Sequence, residues 1–256
     1  MIRAYKSEWL KLRRPGMILG GLGAMVGFAI LVTVLAVVSA GSGRGDLAIA
    51  RLSQPDGFAV IMQRASDFLG IVALGIVAIA VAQEYSHGTL RNLLVREPHR
   101  LRLLVGKLLA TLTFLVVALL LAMAAALVVG LLIAPSKGID TSGWLGSGLR
   151  DTVGTTVDLG LATLGYGIFG AMLGLVLRSP APAVIVGVAW MLPVESALTA
   201  AWSNVGHWLP GEQLTAIGVH GNSISSFTFA LALSAVFVAA AAITGGALFR
   251  RRDVST

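Results

Sequence analysis

Long apolar stretches alternate with short polar connections along the 256 residues of the chain. A helix needs about 20 mainly apolar residues to cross a hydrocarbon core of about 30 Å, and six stretches meet or approach that length. Their continuous runs of Leu, Ala and Val lack the alternation over about ten residues that is typical of a membrane β-barrel strand. The pattern therefore predicts an all-α integral membrane protein with one domain, residues 1–256. Its six transmembrane helices are predicted at about 17–39, 62–83, 107–134, 157–177, 181–202 and 227–249.

Composition and charge support this class. Of the residues, 56% are hydrophobic and 12% are charged, whereas soluble domains carry about 25% charged residues. The formal charge is +7, but the basic residues cluster at the ends of apolar stretches, which indicates lipid headgroups rather than nucleic acid. Fourteen of the 19 Lys and Arg fall in the N-terminal arm, in alternate connections and in the C-terminal tail. The positive-inside rule then predicts a multi-pass protein of the cell (plasma) membrane with both termini in the cytoplasm.

Motifs for catalysis and nucleotide binding are missing from the sequence. The only Gly-Lys pair, Gly106-Lys107, is followed by Leu108, so there is no G-x-x-x-x-G-K-[ST] phosphate-binding loop. The four histidines have no metal-ligand spacing, and the chain has no cysteine. We therefore predict that the chain is not an enzyme and that it holds no metal or cofactor of its own.

The N-terminal arm carries an amphipathic pattern. Apolar residues at steps of three or four lie on one helical face: Ile2, Tyr5, Trp9 and Leu12. Most other residues of the arm are polar or basic and include Arg13 and Arg14, and Pro15 ends the helix. We expect a helix in the plane of the lipid headgroups, with Tyr5 and Trp9 at the interface and the basic side chains toward anionic lipid. The alternative is a positively charged arm without this structure.

The connection between the second and third predicted spans, residues 84–107, has more order than a solvated loop requires. Ser86 is suited to cap a helix, Gly88 permits a tight bend, and Pro98 stops the helix. An apolar stripe with helical spacing lies between them: Leu90, Leu93 and Leu94. The segment is therefore predicted to hold a cytoplasmic amphipathic helix of about two turns. Its leucines need a partner, either headgroups or another protein.

These features resemble the permease subunits of type-2 ATP-binding-cassette exporters. The sequence SEWLKLRRP at residues 7–15 matches the amphipathic N-terminal helix of that family. The next connection contains a matching series: Glu84-Tyr85, Gly88-Thr89-Leu90, Pro98, Arg100 and Gly106-Lys107. Trp208-Leu209-Pro210 also looks like the family's outer region, where short re-entrant helices precede the last span.

The resemblance implies specific partners. In that family the segment between the second and third spans carries a coupling helix that docks in a groove of an ATPase, and the ATPase binds ATP and Mg. Because this sequence holds no fused ATPase, the resemblance implies a separate one, together with a second permease subunit that is identical or different. The residues assigned in this way to ATPase coupling are Glu84, Tyr85, Gly88, Thr89, Leu90, Leu93, Leu94, Arg96, Pro98 and Arg100.

Glu195 stands out among the residues inside the predicted spans. At about 1.5 Å per residue it lies somewhat beyond the bilayer middle, two residues after Pro193, which is expected to kink the helix. An ionisable group at that depth should face a cavity, a partner or other polar groups. We weigh two interpretations: a cargo-pathway or gating carboxylate, and a structural glutamate that backbone amides satisfy near a re-entrant boundary. Tyr166 in the fourth span is a weaker candidate for the cargo pathway.

Two further patterns concern packing. Gly-x-x-x-Gly spacings at residues 16–20, 23–27 and 170–174 favour close packing of the first and fourth spans. Arg64 and Asp67, near the outer boundary of the second span, have the spacing of an interfacial ion pair.

The sequence as a whole therefore predicts a permease subunit that exports a hydrophobic or amphipathic cargo and is driven by a separate ATPase. An ion-coupled secondary transporter is the alternative, although only Glu195 and Pro193 partly match the charge pairs and interrupted helices of that class. A third possibility is a non-transporting membrane anchor or sensor for a cytoplasmic partner.

Overall fold

The computed structural model describes residues 2–12, 15–41, 47–86 and 100–251, and the described residues form helices without any strand. In chain order the helices are α1 (Ile2–Leu12), α2 (Pro15–Ser39), α3 (Ile49–Leu52), α4 (Gly57–Gln63), α5 (Ser66–Ser86), α6 (Arg100–Ile133), α7 (Leu149–Leu177), α8 (Pro180–Ala201), α9 (Pro210–Gly218) and α10 (Phe227–Arg251). Short 3-10 turns follow α6 at Ala134–Lys137 and α8 at Ser203–Trp208.

Among the described residues, six helices are long and apolar enough to cross a membrane, which confirms the predicted fold class: α2, α5, α6, α7, α8 and α10. The second span begins at Ser66 rather than at residue 62, because α4 ends at Gln63 and a turn separates the two helices. Helix α6, which forms the third span, begins at Arg100 and therefore extends beyond the apolar stretch that predicted it.

Helices α5 and α7 form the centre of the bundle. In their most apolar windows 61% and 56% of the residues are buried, compared with 17–33% in the other four spans. Glycines of α7 face the backbone of α5. A Cβ atom at Gly174 would lie 2.8 Å from the carbonyl oxygen of Ala78, and one at Gly170 would overlap the carbonyl group of Leu74. The glycine spacing of the fourth span therefore predicted its close packing correctly.

The same expectation is wrong for the first span. Cβ atoms at four glycines of α2 would meet nothing within 4 Å: Gly16, Gly20, Gly23 and Gly27. The buried side of the helix is the opposite one, which carries Met25, Ala29 and Thr33, and α2 packs on α6. A glycine spacing identifies a flat helix face, but it does not determine whether that face points into the bundle.

Helix α1 packs along α6. Leu12 is buried in the core, and Tyr5 and Trp9 pack against that core with their rings stacked 6.2 Å apart. The apolar face of α1, for which the sequence predicted a membrane interface, therefore contacts protein, because α6 begins early and extends alongside α1. A position of α1 in the plane of the headgroups stays a prediction. Arg13 and Arg14 lie outside the described residues.

Helix α8 changes type at Pro193. The backbone takes a π-helical turn at Trp190–Val194 and continues as an α-helix from Glu195. Proline lacks an N–H donor and its ring crowds the carbonyl of the preceding turn, so the wider turn accommodates it. After α8 the short helix α9 packs against α7 and α10. Whether this region is re-entrant stays a prediction, and so does the coupling helix, which lies outside the described residues.

Candidate functional site

Four charged side chains meet where α1, α5 and α6 come together. Glu8 and Lys11 lie about one turn apart on α1, Glu84 lies near the end of α5, and Lys107 lies about two turns into α6. We call Glu8, Lys11, Glu84 and Lys107 the junction. Helix α5 ends just before residues 87–99 and α6 begins just after them. The junction therefore lies where that segment joins the helix bundle, which is what we mean by its base.

The junction is a closed ring of ion pairs with alternating sign. Lys107 Nζ lies 3.0 Å from Glu8 Oε2 and 2.7 Å from Glu84 Oε1. Lys11 Nζ lies 3.2 Å from the same Glu84 oxygen and also pairs with Glu8. Each ammonium group therefore contacts both carboxylates, and the four formal charges cancel.

Burial makes this ring different from a surface ion pair. The exposed fractions of Glu8, Glu84 and Lys107 are 3%, 9% and 6%. Burial by itself raises the pKa of Glu8, but the ammonium groups of Lys107 and Lys11 outweigh it and hold that pKa below its ordinary value. Burial lowers the pKa of Lys11, and the carboxylates of Glu8 and Glu84 outweigh it and raise that pKa overall. Glu8 and Lys11 therefore both keep their charge at neutral pH.

Tyr85, the neighbour of Glu84, brings a further connection to this end of the bundle. The guanidinium carbon of Arg178 lies 5.8 Å from the centre of the Tyr85 ring, which is a cation–π distance. Arg178 follows α7 with a φ of 54°, in the left-handed region that commonly ends a helix. The connection between α7 and α8 therefore lies beside the end of α5 that carries the junction.

A second polar group lies toward the other end of the bundle. The hydroxyl of Thr215 in α9 donates to Asp67 Oδ1 over 2.6 Å. The hydroxyl of the buried Tyr166 lies 3.3 Å from Thr215 Oγ1 and 3.4 Å from the carbonyl oxygen of Gly211. We call the following residues the polar cluster: Asp67, Tyr166, Glu195, Glu212 and Thr215. It joins α5, α7 and α8 to the short helix α9.

Glu195 contributes to the cluster by contacting the start of α9. It is 1% exposed, and its Oε2 accepts a hydrogen bond of 2.9 Å from the backbone N–H of Glu212. The first amides of a helix have no acceptor within the helix, and a carboxylate there also interacts favourably with the helix dipole. A Cβ atom at Gly211 would lie 2.6 Å from the same Oε2, so glycine leaves room for this contact. The bond is of the kind that the structural interpretation requires, and a role in the cargo pathway stays a prediction.

One histidine also pairs with a carboxylate at that end. His220 Nδ1 lies 2.8 Å from Asp158 Oδ2, and the imidazole ring stacks on Phe227. The pair fastens the connection between α9 and α10 to α7. Within the described ranges, no group of three or more His, Asp or Glu side chains is arranged to hold a metal ion.

Comparison with known families covers most of these features. A family model described as ABC-2 family transporter protein matches residues 4–192 of the 256. The chain belongs to the ABC-2 transporter family. No curated protein matches the chain. Membership makes this ABC-2 protein a multi-pass membrane subunit of an ATP-binding-cassette transporter rather than its catalytic domain, and it implies partnership with an ATP-binding-cassette ATPase. The match includes the whole junction and Tyr166, whereas Glu195 and α9 follow its last residue.

The structure locates part of the coupling set that the sequence predicted for this ABC-2 protein. Glu84 belongs to the junction, Tyr85 lies against Arg178, and Arg100 begins α6. The others lie outside the described residues: Gly88, Thr89, Leu90, Leu93, Leu94, Arg96 and Pro98.

Sequence reasoning missed the pairing of Glu8, Lys11 and Lys107. Glu8 is the only acidic residue before the first span, and Lys107 directly precedes a long apolar stretch, so each was a signal of an unusual environment. Thr215 was missed as well, and the structure pairs it with Asp67. The ion pair expected between Arg64 and Asp67 stays a prediction.

Proposed function

We propose that this ABC-2 protein is the permease subunit of an exporter that moves a hydrophobic or amphipathic cargo out of the cytoplasm. A separate ATPase subunit, which binds ATP and Mg, supplies the energy by hydrolysis. The family match over residues 4–192 carries the proposal. The junction supports it, because it joins three helices at the base of residues 87–99, where the sequence resemblance assigns the ATPase contact.

A second permease subunit, identical or different, completes the proposed transporter. Helices α5 and α7 approach so closely at Gly170 and Gly174 that a cargo path between them would have to separate their backbones. The apolar windows of α8 and α10 are only 22% and 17% buried within the chain. These two features favour a path between two subunits over a path through the middle of one bundle.

The proposed orientation places the junction in the cytoplasm together with both termini, in the plasma membrane. Most of the Lys and Arg residues belong to the N-terminal arm, the connections on the junction side and the C-terminal tail. In this orientation the N-terminal arm lies on the side of the inner leaflet, whose anionic headgroups attract Lys and Arg.

The test of the ATPase contact is Leu93→Asp. If the apolar stripe of residues 90–94 fills a groove on the ATPase, the new carboxylate becomes buried without a partner, which is strongly unfavourable. The substitution lies between two spans, so we expect normal insertion of the protein into the membrane. The ATPase should no longer copurify with the permease, or hydrolysis should no longer drive export.

Arg96→Gln is the matched control on the same segment. An exposed charge contributes at most about 1 kcal/mol, so the control should weaken ATPase association slightly and in a salt-dependent way. Normal copurification and normal efflux with Leu93→Asp would show that the stripe is not the coupling contact. Proton-driven transport by the permease alone would instead favour a secondary transporter.

A further inference from the structure

The junction fixes α1 in a way that apolar packing does not. Leu12, Tyr5 and Trp9 give α1 an apolar contact with the bundle, but apolar contacts have little directional preference. In contrast, the ring sets three specific distances between helices, one for each pair among α1, α5 and α6. The position of α1 along α6 is therefore determined by charges as well as by packing.

Stability alone is a weak explanation for such a ring. Removing charged groups from water is unfavourable, and buried ion pairs can often be replaced by apolar side chains without loss of stability. The best-attested role of buried polar groups is to select one register among several that packing allows. Here the register relates α1 to the helices on both sides of residues 87–99, through the pair of Lys11 with Glu84 in α5 and the pair of Glu8 with Lys107 in α6.

We propose that Glu8, Lys11 and Lys107 are positioning residues for energy coupling. With Glu84 they hold α1 to both ends of residues 87–99, so α1 moves together with that segment when the ATPase displaces it. Since α1 ends at Leu12 and α2 begins at Pro15, the motion passes directly to the first span. This role rests on the proposed function, in which residues 87–99 contact the ATPase.

The experiment measures the distance between α1 and the end of α5. Because the chain has no cysteine, one variant that carries both Leu10→Cys and Ser86→Cys has spin labels at just these two positions of the permease. Both positions are exposed. The labelled protein is purified with its ATPase in lipid nanodiscs, and electron–electron distances are recorded with and without ATP. With the native ring, we expect one narrow distance distribution that is the same in both nucleotide states.

The deciding variant is Glu8→Gln combined with Lys11→Gln. It leaves the net charge unchanged and preserves the Glu84–Lys107 pair, so it releases only α1. We expect a broader distance distribution that changes with ATP. ATP hydrolysis by the complex should continue. An unchanged narrow distribution in this variant would overturn the proposal.

Three further variants separate positioning from general stability. Lys107→Arg keeps a cation that can reach both carboxylates and should preserve the narrow distribution, whereas Lys107→Met should broaden it. Arg51→Gln combined with Asp56→Asn removes an ion pair far from the junction and should leave the distance unchanged. If this control broadens the distribution as much as the Glu8 and Lys11 variant does, the ring has only a structural role.

Failure of this proposal is distinguishable from failure of the proposed function. If no ATPase copurifies with the native permease, the proposed function fails, and the positioning role for energy coupling fails with it. In that case the spin-label distances in nanodiscs without ATPase still show whether the ring holds α1. If the ATPase copurifies and the Glu8 and Lys11 variant behaves like the native protein, only the positioning role is rejected.

Discussion

At Gly170, helix α7 packs directly against the backbone of α5. The atoms that a Cβ at this position would meet are the carbonyl oxygen, carbonyl carbon and Cα of Leu74. They belong to the backbone, which cannot rotate away as a flexible side chain can. Gly160, on the same helix, differs sharply, since a Cβ there would make an ordinary 3.8 Å contact with a methyl group of Leu119.

Gly170→Ala and Gly160→Ala are expected to differ in stability. Both changes gain up to about 1 kcal/mol of helix propensity, but only the first inserts an atom into a close backbone contact, and overpacking costs about 1–3 kcal/mol or more. We therefore expect Gly170→Ala to lower the Tm of the purified protein and Gly160→Ala to leave it unchanged or raise it. Equal Tm values for the two variants would show that α5 and α7 do not pack as closely as described.

Single residues show which part of a site the sequence predicts. Glu195 was identified from sequence because a carboxylate inside an apolar stretch is costly wherever its partner lies. The ion pairs between helices were not identified, because Lys11 and Glu84 are 73 residues apart and Glu8 and Lys107 are 99 apart, so no local spacing links the partners. The cost of burying a charged side chain can be inferred from a single position in the sequence. The partner of that side chain depends on which helices the fold brings together.

Among the helices, the existence of each span can be predicted from the sequence. The helices against which a span packs cannot. The bilayer sets the length and apolarity of a span, so the six spans were predicted within a few residues of most helix ends. The lipid tails and the protein interior are both apolar. The apolar face of α1 is therefore compatible with either one, and the glycine face of α2 can point into the bundle or toward lipid. The structure places α1 on α6 and turns the α2 glycines away from the bundle.

Helix α9 gives a prediction at the scale of elements, because Glu195 anchors its first turn. Glu195→Leu leaves the backbone N–H of Glu212 without its acceptor, at a cost of about 1–3 kcal/mol, and should release the start of α9. Glu195→Gln keeps an amide oxygen as acceptor and should hold α9 in place. Hydrogen exchange at the Glu212 and Gln213 amides should rise in the leucine variant and stay low in the glutamine variant.

Glu212→Gln is the control for this series. Its side chain makes a long contact of 3.4 Å with Thr199, and its backbone N–H remains bonded to Glu195. Unchanged exchange in Glu195→Leu would show that the carboxylate does not hold α9. The same variants decide between the two interpretations of Glu195: altered export in Glu195→Gln with low exchange supports the cargo pathway, and unaltered export leaves the structural role.

In the whole molecule, the two ends of the helix bundle carry different charged and polar groups. The end with the junction holds the buried ring, Tyr85 against Arg178, and most of the connections that are rich in Lys and Arg. The other end holds the polar cluster, the His220–Asp158 pair and the Arg51–Asp56 ion pair. The family match reaches Leu192, so the polar cluster lies partly within it and partly in the residues that follow it.

We expect these two ends to lie on opposite sides of the membrane, with the junction inside. Ser86 lies beside the junction, whereas Ser142 and Ser223 are exposed in connections at the other end. Because the native chain has no cysteine, each serine can be replaced by cysteine as a single reactive site. With most Lys and Arg retained inside, an impermeant maleimide added to intact cells should label Ser142→Cys and Ser223→Cys but not Ser86→Cys. Permeabilised cells provide the control, since all three variants should then react. Labelling of Ser86→Cys in intact cells would place the junction outside, where a cytoplasmic ATPase does not reach it, and would reject the orientation together with the coupling role of residues 87–99.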